Sequence, residues 1–125
     1  MLKGHLNLLI LAVMQAGPAH GYVIIEELRR RSGGTFDLPE GTAYPALHQL
    51  ELDGLLTSRW SDETGRRRRV YEITKPGRAA FQAQQEEWNR FSEGIEAVLR
   101  EARPAEAVLQ EVGAGTRRRW VGRPD

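Results

Sequence analysis

Hydrophobic and polar positions follow three rhythms along this chain, and each predicts an element. Residues 5–16, HLNLLILAVMQA, are apolar on nearly every face. Leu6, Leu9, Ile10 and Val13 make one helical stripe, with Leu8, Leu11 and Ala12 outside it. A helix greasy all round must be covered on both sides. In a small chain one side faces its own domain, and the other most economically faces a second subunit. Gly17-Pro18 ends this helix. Residues 20–32, HGYVIIEELRRRS, predict a second, amphipathic helix with Val23, Ile24 and Leu28 inward. Its Arg29, Arg30 and Arg31 fall in the last turn, where cations suit the helix dipole, and read as a solvated helix end. Gly33-Gly34 breaks it, and residues 35–38 are an extended link. A third helix lies between Pro39 and Asp53, with Gly54 as its terminator. At roughly 100° per residue, Ala43, Leu47, Leu50 and Gly54 share one face, and Thr42, Pro45, His48, Gln49 and Leu52 share the other.

The period then changes to two. Residues 56–61 and 70–74 have strand composition and are joined by the turn cluster Asp62-Glu63-Thr64-Gly65 and by Arg66, Arg67, Arg68 and Arg69. They predict a hairpin with four arginines at its tip. A lone two-stranded hairpin is marginal in water, so Trp60, Val70 and Ile73 are expected to pack on the helices. The third rhythm begins after Thr74, a good helix cap. Phe81, Gln84, Trp88, Phe91, Ile95, Val98 and Ala102 recur at alternating steps of three and four. That is a heptad seam, and on an otherwise charged helix it needs a helical partner. Residues 105–112 extend the helix weakly, and 113–125, GAGTRRRWVGRPD, read as a disordered basic tail.

Composition changes the picture in two ways. Lysine and arginine total 18 against 17 aspartates and glutamates, so net charge is uninformative while its distribution is not. Residues 56–78 hold seven bases and three acids; residues 81–111 hold three bases and seven acids. A basic segment and an acidic one cancel. There are no cysteines, which removes disulfides, thiolate catalysis and cysteine zinc sites. The apolar run Leu6–Met14 is too short to span a bilayer and lacks a clear cleavage site, so the expectation is a cytoplasmic protein with no membrane partner. His5, His20 and His48 sit on three different elements without metal-ligand spacing. No glycine-rich loop follows a strand, and no serine sits in a nucleophile elbow. An enzyme, a metal or a cofactor is not expected.

Three helices followed by a basic hairpin is the order of a winged helix-turn-helix. The fold class is mainly α with a small β-hairpin, and a long C-terminal dimerisation helix follows it. The third helix offers short polar side chains to base edges in a major groove. The wing offers Arg66, Arg67, Arg68 and Arg69 to phosphates or a narrow minor groove. The competing class is a winged helix that has lost DNA and serves as a protein-interaction module; four wing arginines favour double-stranded DNA. Arg117-Arg118-Arg119-Trp120 in the tail could serve RNA, or DNA as an accessory arm.

GYVIIEELRRRSGG, EGTAYPALHQLELDGLLTSRW and GRRRRVYEITKPGR resemble the corresponding stretches of the PadR family of bacterial transcriptional regulators. The likeness covers about residues 2–102, and its most specific piece is GTAYPALHQLE followed by GRRRRVYEIT. It implies a winged helix-turn-helix DNA-binding domain over 1–74, a dimerisation helix over 75–112 and a homodimer through the first and last helices. It also implies repression at a palindromic operator, relieved by a small molecule. Tyr22, Thr42, Tyr44, Pro45, His48, Gln49 and Arg66 to Arg69 would then face DNA. The single long last helix is similar to the short PadR subgroup. There, tryptophans at the Trp88 position of two subunits can sandwich a planar aromatic effector, with Leu8, Gln84 and Ser92 nearby. Without a ligand, the same pair of rings is simply dimer core. The chain departs from the family pattern at Gln49, where a basic residue is usual, and at Ala43 and Leu52. Base reading then falls to Gln49, Thr42 and His48, to the wing, or to DNA shape.

Overall fold

The structure is a computed structural model that describes residues 2–63, 65–102 and 104. Internal contacts divide the chain into two compact units, Met1–Glu87 and Trp88–Asp125. The expected weak extension over 105–112 and the expected tail over 113–125 lie outside the described residues.

In the first unit a short 3-10 turn, Leu2–His5, leads into α1, Leu6–Met14. Strand β1 is only Ala19–His20, and α2 follows at once as Gly21–Arg31. Helix α3 is Glu40–Leu52, β2 is Leu56–Ser61, β3 is Arg68–Ile73 and α4 is Lys75–Arg100. The sheet is antiparallel with order β1-β3-β2. The hairpin pairs Leu56 with Ile73 and Trp60 with Arg69, while β1 lays Ala19 on Tyr71 and His20 on Val70. The hairpin therefore gains a third strand. His20, expected in the second helix, pairs with β3 instead, and the helix starts one residue later. Two of the wing arginines, Arg68 and Arg69, lie inside β3 rather than in the turn.

One core joins the elements of the first unit. Ile10, Leu11 and Met14 of α1, Ile24 and Leu28 of α2 and Leu47 and Leu50 of α3 are buried, together with Leu56, Tyr71 and Ile73 of the sheet. Leu11, read as lying outside the α1 stripe, is fully buried; Leu9 is partly buried against the core. The inward face of α3 is as expected, with Ala43, Leu47 and Leu50 buried. Gly54 takes φ 78°, the left-handed conformation that ends α3, and the next amide, of Leu55, donates back to the Leu50 carbonyl at 2.9 Å.

Trp60 overturns an expectation. Expected to pack on the helices, it is 52% exposed, whereas Val70 and Ile73 are buried. Burial along β2 switches phase, with Leu56 and Ser61 as its buried ends.

Thr74 caps α4. Its Oγ1 accepts from the Gly77 amide at 3.0 Å and donates to the Gly54 carbonyl at 2.7 Å, so one side chain joins the end of α3 to the start of α4. Gly77 is buried against the Leu55 carbonyl and Ile73. Ala80 and Phe81 pack on the core.

In the second unit, α4 carries Trp88, Phe91, Ile95, Val98 and Leu99 on one helical face, all exposed in the single chain. The Trp88 and Phe91 ring centroids are 5.8 Å apart. Phe91, Ile95, Val98 and Leu99 line a shallow apolar groove with Arg90 and Gly94.

Candidate nucleic-acid interface

The first unit carries a cleft of about 250 Å³ lined by His20, Gly21, Tyr22, Tyr44, Trp60, Arg66 to Arg69 and Tyr71. It draws on four elements: β1, the first turn of α2, the first half of α3 and the wing. The short β1 explains the convergence. Pairing His20 with Val70 brings the start of α2 beside β3, and so brings Tyr22 beside Arg68. The Arg68 guanidinium lies 4.7 Å from the Tyr22 ring centre, and His20 stacks on the same tyrosine, with the His20 and Tyr22 rings 5.6 Å apart and nearly parallel. A Cβ on Gly21 would run into the Tyr44 ring, so glycine there lets the α3 tyrosine lie against α2.

The wing arginines are not equivalent. Arg67 and Arg69 both sit over the Trp60 ring, at 4.7 and 4.8 Å from its centre. Each such cation–π contact contributes on the order of 0.5–1 kcal/mol at an open site, enough to bias a side chain that would otherwise wander. Arg69 is further tied down: its Nε donates to Ser58 Oγ at 2.9 Å, and Ser58 Oγ donates to the Glu51 carboxylate of α3. Among the described residues no carboxylate pairs with Arg66, Arg67 or Arg68, and Arg69 reaches Glu51 at 3.8 Å. Burial, and then the nearby Glu51 carboxylate, push the Tyr71 hydroxyl above its ordinary value, with Arg69 acting the other way.

Thr42, Tyr44, Pro45, His48, Gln49 and Leu52 are exposed along α3. The Gln49 amide donates to Asp53 at 3.0 Å, which leaves its carbonyl oxygen turned to other partners. Arg29, Arg30 and Arg31 pair with Glu26 and Glu27 of their own helix, in keeping with a solvated helix end. Ten residues read from the sequence as DNA-facing fall into two groups. Tyr22, Tyr44 and Arg66 to Arg69 line the cleft, while Thr42, Pro45, His48 and Gln49 lie on the exposed face of α3. His20, Trp60 and Tyr71 also line the cleft and were not singled out. Trp60 had a signal, an aromatic ring interleaved with basic residues; His20 had none beyond its position two residues before Tyr22.

Of the effector residues, Leu8 and Gln84 are half-buried in the first unit, and Trp88 and Ser92 belong to the second. Among the described residues no group of three or more His, Asp or Glu could hold a metal ion, and no helix is long and apolar enough to cross a membrane.

Known proteins agree with this architecture. The chain is 29% identical to a transcriptional regulator from Clostridium thermocellum of known structure, covering 77% of this chain and 94% of that one, with a TM-score of 0.71. A PadR family transcription regulator from Clostridium difficile is 30% identical, with 76% and 98% covered and a TM-score of 0.69. Transcriptional regulator Rv3488 of Mycobacterium tuberculosis is 48% identical over 62 residues, 50% of this chain; the match spans 55% of that relative's length. Residues 10–83 match the profile of the transcriptional regulator PadR-like family. With a winged helix whose basic cleft takes in Tyr44 of α3, and with residues 10–83 matching the family profile, this chain belongs to the PadR family of transcriptional regulators.

Proposed function

We propose that the chain is a sequence-specific repressor that binds a palindromic operator as a homodimer. Residues 1–74 engage DNA and residues 75–112 pair two copies. Arg66, Arg67 and Arg68 meet phosphates or a narrow minor groove, with Tyr22 and Tyr44 beside them. Thr42, His48 and Gln49 read base edges at short range with Pro45 beside them, since α3 carries no lysine or arginine. The observation that supports this most is the cleft itself: three arginines without carboxylate partners share it with Tyr22 and Tyr44, next to the polar face of α3. If two or three wing arginines per copy neutralise phosphates, a dimer makes roughly four to six contacts, and binding is strongly salt-dependent.

Pairing is supported by the apolar face of α4, which would cover Trp88, Phe91, Ile95 and Val98 in a second copy, with α1 adding Leu8. At that seam Leu8, Gln84, Trp88 and Ser92 would receive a planar aromatic effector that relieves repression. Selection of bound sequences from a random DNA pool tests the reading. Enrichment of an inverted repeat at fixed half-site spacing is expected; no enrichment overturns it.

A further inference from the structure

We infer that Glu51, an acidic residue on the DNA-facing helix, is a positioning residue that aims the wing. The inference rests on the DNA-binding reading above. Glu51 lies in α3, Ser58 in β2 and Arg69 in β3. Ser58 Oγ donates to Glu51 Oε2 and accepts from Arg69 Nε, and Arg69 Nη2 stands 3.8 Å from the same carboxylate oxygen. Arg69 also covers Trp60, its cross-strand neighbour, and Arg67 covers the same ring. A chain of contacts thus runs from the recognition helix through two strands to the wing tip. Each link is between groups of fixed geometry: a carboxylate, a hydroxyl, a planar guanidinium and an indole ring. The Glu51 side chain is 25% exposed.

This arrangement predicts an effect of unusual sign. An acid beside a phosphate-binding surface repels DNA, and removing it ordinarily tightens binding. If Glu51 aims the wing, removing its charge weakens binding instead, because Arg69 is released and the Trp60 ring that carries Arg67 loses one of its two covers. The loop between β2 and β3 then samples orientations in which its arginines miss the backbone.

The test uses the full chain and the sequence it enriches from a random pool. Glu51→Gln is expected to weaken binding of that DNA roughly three- to tenfold, as a broken side-chain network does. It is also expected to shift the Trp60 indole N–H resonance, assigned with Trp60→Phe, while the thermal midpoint stays close to wild type. Arg69→Gln combined with Glu51→Gln is expected to be no weaker than the worse single variant. If Glu51→Gln fails to fold, Ser58→Ala breaks the same chain from the other side and carries the same comparison. Equal or tighter binding by Glu51→Gln, with the Trp60 resonance unmoved, overturns the assignment alone. A wild-type chain that retains no DNA from the pool overturns the functional reading and this assignment together.

Discussion

The ring of Tyr44 fills the space in which a side chain on Gly21 would begin: a Cβ there would lie 2.5 Å from Tyr44 Cε1. Tyr44 is partly exposed, so its ring can swing outward. We predict that Gly21→Ala costs only about 1 kcal/mol in stability, as mild overpacking does, yet weakens DNA binding by more than that loss implies, because the displaced ring blocks the cleft. Urea unfolding beside fluorescence anisotropy separates the two. Equal small losses in both would show that Tyr44 has no part in binding.

Gly77 is a contrasting case. A Cβ there would lie 2.1 Å from the Leu55 carbonyl oxygen and 2.7 Å from Ile73, and a backbone carbonyl cannot swing aside. Gly77→Ala is expected to cost about 3 kcal/mol, well above the loss of about 1 kcal/mol for the cap variant Thr74→Ala. Denaturant midpoints test the order; Thr74→Ala as the more damaging change would contradict it.

Arg66→Ala and Arg68→Ala are expected to weaken binding to all sequences alike and to flatten the dependence of log affinity on log salt by about one unit each. Titrations at several salt concentrations measure the slope. An unchanged slope would mean that these side chains remain solvated.

Ile95 lies in the apolar groove of α4 and is exposed in the single chain. Ile95→Asp should therefore leave the fold intact while converting dimers to monomers at micromolar concentration. Light scattering after size exclusion reads the mass; a dimer of undiminished stability would remove this face from the interface.

Glu27 accepts hydrogen bonds from Arg30 and then Arg31, which hold its carboxyl down to about 2 from an ordinary 4.5. A depressed acid stabilises the fold fully above its unfolded value, and that contribution disappears as pH falls through the folded value. The group is at an open helix surface, so the effect is small and screened by salt. Glu27→Gln is expected to unfold slightly earlier than wild type at pH 7, with the gap closing between about pH 4.5 and 2. A gap that persists at pH 2 would assign the difference to something other than ionisation.

Much of this was legible in the chain. The inward face of α3, the Gly54 stop and the Thr74 cap all follow from local patterns, and they reappear in the structure. The missing parts are long-range. Ala19–His20 has no strand pattern of its own and becomes a strand only because β3 offers it an edge. Trp60 was expected on the helices, but burial along β2 does not keep a period of two, and its ring lies under Arg67 and Arg69 instead. The link from Glu51 to Arg69 joins residues eighteen apart through Ser58, a separation at which no periodicity speaks. The cleft could be anticipated as a set of arginines, but not as a set of arginines already ranked by what holds each one.

Strand β3 starts at Arg68, beside Tyr22, and ends at Ile73, against the place where Gly77 allows no side chain. Five residue steps of extended backbone are about 17 Å. That length acts as a gauge whose zero is set at the Gly77 end. A change in how Ile73 seats there would raise or lower the wing relative to α3 without altering one arginine, so under the proposed reading recognition would be retuned from a site outside the cleft.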